Sequence, residues 1–194
     1  IIDVSGSMRE EGGKKIEAAI QTAVLFAEAL NKIKGVEFEI VAFADEEYIP
    51  LKEYKHKWDL KRACYVVKKA LETSGGTKEV RAVSSAIQRI RRDAKTGTNK
   101  MIFVITDGKP QYEEQREKIK LMMMELMDKN RDIRIFGWGI GPDMQEVEET
   151  YRPYGKWVEN VQELPDRVGE VLRRELGRPI IIDQLTTGAI STIT

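Results

Sequence analysis

Apolar residues recur along the chain in two alternating rhythms. Ile1 and Ile2 open it as the end of a buried strand, followed by a polar loop that closes at Gly12 and Gly13. From Lys14 to about Lys34, Ile16, Ile20, Ala23, Val24, Ala27 and Leu30 return at helical spacing, and Gly35 ends the run. Val36 to Ala44 begins alternating and turns continuously apolar, as a strand entering a core does. A turn at Asp45, Glu46 and Glu47 leads to a short strand, Tyr48 to Leu51. So tight a connection makes that strand antiparallel, and Pro50 puts it at a sheet edge. Asp59 caps a helix to about Leu71 whose expected inward face is Leu60, Ala63, Cys64, Val67 and Leu71. A second helix, Val80 to Ile90, has Val83, Ile87 and Ile90 on one face. Further elements follow as a strand at Met101 to Ile105, a helix at Glu113 to Lys129 and a strand at Ile133 to Ile140. A short helix capped by Asp143 runs to about Tyr151, and a strand from Lys156 to Val161 and a helix from Leu164 to Leu176 close the pattern.

Strands alternating with helices make an α/β fold, with a mostly parallel sheet covered on both faces and one antiparallel edge strand. Right-handed crossovers then give a doubly wound sheet. Such sheets bind ligands beyond the carboxyl ends of their strands, where the strand order reverses.

Composition narrows the function classes. The 194 residues suit one domain, and 32 basic against 32 acidic residues leave no net charge. Bulk electrostatics therefore point to no nucleic-acid or membrane partner. No apolar run approaches the roughly 20 residues of a membrane helix. Cys64 is the only cysteine, so no internal disulfide forms, which favours a reducing, cytoplasmic setting. The chain starts inside a strand without a methionine and reads as a fragment of a longer protein.

The candidate chemistry lies at the ends of strands. Asp3, Ser5 and Ser7 follow the first strand at alternate positions, with Gly6 allowing a tight bend. Oxygen-only donors of this kind suit a hard cation such as Mg²⁺. Ser and Asp after a strand also serve as plain helix caps, so this triplet alone is weak. Two later loops, Gly75-Gly76-Thr77 and Thr106-Asp107-Gly108, fall near the same sheet edge.

With those three loops together, the chain resembles a von Willebrand factor A domain with a metal-ion-dependent adhesion site over residues 1 to about 176. The resemblance assigns Asp3, Ser5, Ser7, Thr77 and Asp107 to a Mg²⁺ or Mn²⁺ site. It implies that Ser5, Ser7 and Thr77 contact the ion and that Asp3 and Asp107 hold it partly through water. One coordination position is left for an Asp or Glu of a partner protein. It also implies a six-stranded sheet in the order 3-2-1-4-5-6, whose switch point lies between the two strands carrying these acids. Within the family, the Ser-Gly-Ser-Met loop and short connections look most like intracellular members that work with AAA+ ATPases, including the cobaltochelatase CobT-like group. An extracellular adhesion module is the alternative. As surface oxygen donors, these side chains are expected to be removable without loss of the fold.

Enzyme readings fit less well. A haloacid-dehalogenase-like phosphatase needs a second acid two residues after the first, where Ser5 stands. His56 is the only histidine, and no Gly-x-Ser-x-Gly or P-loop motif is present. A fold with an empty site is the bland reading. The methionines of 121–127 read as adaptable core filling, and Gly137, Gly139 and Gly141 as points of close backbone approach. Tyr48, Tyr54, Trp58, Tyr112 and Trp157 are candidate contact aromatics, Tyr112 foremost because it follows Asp107. Residues 177–194 are read as a tail outside the domain.

Overall fold

The computed structural model describes residues 1–46, 48–108, 114–129, 133–142 and 144–176. Its sheet has six strands: β1 (Ile2–Asp3), β2 (Ile40–Phe43), β3 (Ile49–Lys52), β4 (Lys100–Thr106), β5 (Ile133–Ile140) and β6 (Gly155–Val158). They lie in the order β3-β2-β1-β4-β5-β6. Every pairing is parallel except β2 with β3. The expected doubly wound architecture and strand order are therefore present, and Pro50 sits on the exposed side of the edge strand.

Among the described residues six α-helices cover the sheet: α1 (Lys14–Asn31), α2 (Leu60–Glu72), α3 (Glu79–Asp93), α4 (Glu114–Lys129), α5 (Glu146–Thr150) and α6 (Leu164–Leu176). One apolar cluster joins α1, α2 and α6 to the sheet through Ile16, Phe26, Val66, Leu172 and the inner side of β1 and β2. The other joins α3, α4 and α5 through Val83, Ile119, Met123 and Tyr151. Among the described residues no helix is long and apolar enough to cross a membrane.

Three expectations need correction. The second strand begins at Ile40, not Val36. β1 meets β2 only from Ile2 opposite Ala42, and β3 reaches back only to Ile40, so residues 36–39 lie beyond both ladders. The last strand ends at Val158, and Asn160 turns the chain by accepting the Gln162 N–H at 3.2 Å.

The third correction concerns α2. Its buried residues are Ala63, Val66 and Ala70, whereas Leu60 and Leu71 are 69% and 43% exposed and Cys64 is exposed. Both ends of the helix are held in ways that set this face. Asp59 Oδ1 accepts the Arg62 N–H at 2.7 Å, and the preceding Trp58 is buried with its indole N–H on Glu28 of α1 at 2.7 Å. At the other end the Arg9 guanidinium donates to the carbonyls of Ala70, at 3.2 Å, and Thr73. Small residues inward let α2 lie close on its neighbours, and the large apolar ones are left outside.

The methionine run divides in the same way. Met123 is buried and Met122 packs against the core, but Leu121 and Met124 are 60% and 63% exposed. The glycines behave as expected. A Cβ on Gly137 would lie 2.2 Å from the Tyr151 ring, and one on Gly155 2.6 Å from the Glu148 backbone. Their bareness lets α5 and the turn after it lie directly on β5 and β6. The expected cap Asp143, Tyr112 and residues 177–194 lie outside the described residues.

Candidate metal centre

β1 and β4 are neighbours, with Ile2 opposite Ile105, so the loops that leave their carboxyl ends start side by side. Ser7 Oγ donates to Asp107 Oδ1 at 3.1 Å across that gap, and Ser5 Oγ lies 3.2 Å from Ser7 Oγ. Asp3 is turned inward. Its Oδ1 accepts the Ser5 N–H and its Oδ2 the Thr106 hydroxyl, both at 2.9 Å. The Thr106 oxygen in turn accepts the Gly108 N–H at 3.1 Å.

Thr77 arrives on a third loop. The Gly6 N–H donates to the Gly75 carbonyl at 2.9 Å and so joins this loop to the first. Gly75 has a φ of 146°, and a Cβ there would strike Asp45. Lys78 N–H on the Ala44 carbonyl ties the same loop to the end of β2. Four of the five sequence-identified residues thus form one hydrogen-bonded group, and the fifth is brought alongside by its backbone.

These side chains are not surface ligands, contrary to expectation. Asp3 and Asp107 are 0% exposed, Ser5 1% and Thr77 5%; only Ser7 is partly exposed. Burial is the largest influence on Asp3 and pushes its carboxyl up to about 6. The Ser5 and Thr106 hydrogen bonds pull it down, and the nearby Asp107 charge pushes it up again. Glu79, at the start of α3, is buried and pushed up to about 7, first by desolvation and also by the charges of Asp3 and Asp107. Tyr151 donates to its Oε1 at 2.6 Å, which works the other way.

Three buried acids therefore lie within electrostatic reach of one another, and among the described residues Arg116 of α4 and Lys15 of the first turn of α1 bring positive charge to them. Lys15 Nζ lies 3.5 Å from Asp107 Oδ2, with both side chains buried. Gly141 makes room for the lysine stem, since a Cβ there would lie 2.9 Å from its Cε. From α4, Arg116 donates to the Gly108 carbonyl at 3.0 Å and holds the Asp107 loop from outside. The motif reading missed Lys15, Thr106 and Glu79. A lysine within the first turn of the helix after the loop was the one visible signal.

The donors fit a hard divalent cation. They are carboxylate and hydroxyl oxygens, the set preferred by Mg²⁺ and Mn²⁺. Among the described residues no three His, Cys, Asp or Glu side chains gather in a metal-holding group, so hydroxyls would have to complete the shell of any ion held there. Desolvated acids that already draw an ammonium to contact are also where a divalent charge gains most. Three of the described candidate aromatics are engaged elsewhere than in the Asp3–Ser5–Ser7–Asp107 cluster. Trp58 is buried on the α1 side, Tyr48 lies under the Arg89 guanidinium at 4.1 Å, and the Trp157 indole donates to the Gly141 carbonyl at 2.6 Å.

The family model for the von Willebrand factor type A domain matches residues 1–151. Comparison with curated proteins gives no match. Solved structures share the fold. The conserved hypothetical protein BatB from Bacteroides thetaiotaomicron is 15% identical with a TM-score of 0.63, covering 91% of this chain and 96% of its own. The pilus adhesin SpaC from Lactobacillus rhamnosus GG, in an open conformation, is 12% identical with a TM-score of 0.66, covering 90% of this chain and 29% of its own. The vWF domain of the type V pili tip protein Mfa5 from Porphyromonas gingivalis is 10% identical with a TM-score of 0.62, covering 92% and 95%.

Proposed function

Since the chain belongs to the von Willebrand factor type A domain family, we propose that it is a protein-binding module whose grip depends on a divalent cation, Mg²⁺ or Mn²⁺. The observation that carries this reading is the hydrogen-bonded cluster of Asp3, Ser5, Ser7 and Asp107 at the sheet's switch point. Ser5, Ser7 and Thr77 would bind the ion as neutral donors, with Asp3 and Asp107 behind them. Held by so few charges, the ion supplies a positive coordination position that an Asp or Glu of the partner fills. Thr106 fixes the orientation of Asp3, Arg116 steadies the Asp107 loop, and Lys15 offsets part of the buried negative charge.

On this reading the edge offers its oxygen donors to a cation, and its chemistry is recognition. His56, the only histidine of the chain, lies after β3 with Glu53 as its neighbour at 3.7 Å.

We place the domain with the intracellular members that serve AAA+ ATPases, such as the cobaltochelatase CobT-like group. The support is the Ser-Gly-Ser-Met loop and an exposed thiol, Cys64, of the kind a reducing compartment preserves.

Two experiments test these statements. Calorimetric titration of Mg²⁺ and Mn²⁺ into the chain should show binding that Ser7→Ala weakens. Ser7 is the control of choice, because Asp3→Ala strands the buried Ser5 N–H and Thr106 hydroxyl. Equal heats for chain and variant would remove the metal-bridge reading. Partner capture with Mg²⁺ against chelator then separates the settings. An AAA+ ATPase held only with Mg²⁺ supports the proposal, and a matrix or cell-surface ligand overturns it in favour of adhesion.

A further inference from the structure

The sheet has an open lane in line with β1, on the side away from the metal centre. β1 pairs with β4 only through Ile2 opposite Ile105, and with β2 only through Ile2 and Asp3. The Ile105 N–H donates to the Ile1 carbonyl at 3.0 Å and the Ile1 nitrogen donates to the Phe103 carbonyl at 2.6 Å, and there the ladder stops. Residues 101–103 of β4 pair with β5 on one side and, among the described residues, with no strand on the other. Alternation along β4 turns the Met101 and Phe103 amides the same way as that of Ile105, into the lane. Residues 36–39 form the opposite wall. Between the walls lies a cavity of about 540 Å³. Phe26 and Leu30 of α1 with Leu172 and Leu176 of α6 line it from one layer, and Ala86 and Ile90 of α3 line it from the other, so the opening passes through the sheet.

We propose that Ile180, Ile181 and Ile182 of the chain's own C-terminal segment fill this lane as a strand parallel to β4. The walls ask for a strand, because a hydrocarbon ligand would leave the inward amides of β4 unmet. A strand covered on both faces is a continuous apolar, β-branched run, and these three isoleucines make one. At about 3.3 Å per residue they span about 10 Å, the stretch that residues 101–103 leave open. Place and direction agree. α6 ends at Leu176, which lines the cavity, and Gly177, Arg178 and Pro179 are left for the turn into the lane. Proline then stands at the mouth of the strand, where its missing N–H costs least. Handedness agrees as well. α6 shares the layer of α1, and a path from β6 through α6 to the lane crosses the sheet in the same direction as the path from β1 through α1 to β2. Both are then right-handed crossovers. The contact needs no cation and lies at the opposite end of the sheet from Asp3 and Asp107, so it stands apart from the metal-bridge reading.

NMR on the full 194-residue chain tests this without any substitution. The Met101 and Phe103 amides should exchange with solvent as slowly as those of Ile102 and Val104, which face β5. The Ile181 methyls should contact one layer of the lane and those of Ile180 and Ile182 the other, with Phe26 and Ile90 as the reporters. Fast exchange at Met101 and Phe103, or no contact from the three isoleucines, overturns the proposal. Ile181→Asp should then speed exchange at Met101 and Phe103 by about tenfold or more, while Ile102, Val104 and the Mg²⁺ heats stay as they were. A peptide of residues 177–186 should bind this variant, restore its protection and leave the parent chain alone. Unchanged exchange in the variant, or equal binding of the peptide to variant and parent, overturns the proposal. Protection that appears only as protein concentration rises would give the lane to a second copy and overturn it too. So would contacts to Phe26 and Ile90 from a segment preceding Ile1 in a longer form of the protein.

Discussion

The ammonium of Lys15 rests 3.5 Å from Asp107 Oδ2 in the interior, the carboxylate whose other oxygen accepts the Ser7 hydroxyl. One aspartate is thus shared between a lysine of α1 and the loop expected to hold a cation. Replacing Lys15 with Met keeps most of the stem volume and removes the charge. Without an added cation the variant should be less stable, because the buried Asp107 carboxylate loses the charge of Lys15; removing one partner of a buried pair costs up to about 3–5 kcal/mol. Saturating Mg²⁺ should restore more stability to the variant than to the parent chain. Thermal melts with Mg²⁺ and with chelator decide it, and equal Mg²⁺-induced shifts would rule out any interplay between the lysine and the cation.

Thr106 presents its hydroxyl to Asp3 and its oxygen to the Gly108 N–H. Thr106→Val preserves the shape and deletes both bonds. Stability should fall by about 1–3 kcal/mol, the usual cost of leaving buried polar groups unsatisfied. Mg²⁺ affinity should fall as well, because Asp3 loses its orientation. Calorimetry on the folded variant gives the answer, and unchanged affinity would mean that Asp3 does not need the threonine.

Glu79 makes stability depend on pH. Its folded carboxyl is pushed up to about 7 from an ordinary value of 4.5, so between those values the folded chain holds a proton that the unfolded chain has lost. The sign follows: this contribution is full below about pH 4.5 and falls away as pH rises through about 7. Glu79→Gln imitates the protonated acid and should flatten that slope in chelated buffer. It should also raise the melting temperature at pH 8 relative to the parent. Parallel denaturation profiles for the two proteins across this window would contradict the assignment.

Gly137 lies directly beneath Tyr151, whose ring a Cβ would approach to 2.2 Å. Gly137→Ala should lower stability by about 1–3 kcal/mol or more, the cost of overfilling a packed core. It should also disturb the Tyr151–Glu79 bond, and with it the loop that carries Thr77. Urea denaturation checks the first effect. A variant as stable as the parent would show that α5 can lift off the sheet without penalty.

Legibility from sequence followed physical scale. Ile133–Ile140 and Leu164–Leu176 were readable to their ends because a long apolar run or a clean helical period leaves little choice. The sheet order came with the family resemblance, and the candidate site residues with its motif. Depth of burial did not, since a motif names oxygen donors without saying how far inside the loops fold. The face of α2 was misread because large side chains were weighted by hydrophobicity. Asp59, Trp58 and Arg9 hold the helix so that alanines turn inward. Lys15 gave no signal of its own, because a lysine on a helix is nearly always solvated. Only the fold brings it to Asp107, and only the fold sets Tyr151 against Glu79.

The pairing of Ile2 with Ile105 has a bearing on how the protein comes into being. β1 is central in the sheet, yet one of its neighbours, β4, is made about a hundred residues later, a long loop to close before contacts reward it. On the ribosome, the strand bearing Asp3 must wait, apolar and half-paired, until residue 107 has left the exit tunnel. Any ion held between the loops after β1 and β4 would therefore close on a sheet that has already assembled, and could not serve as the template on which it forms.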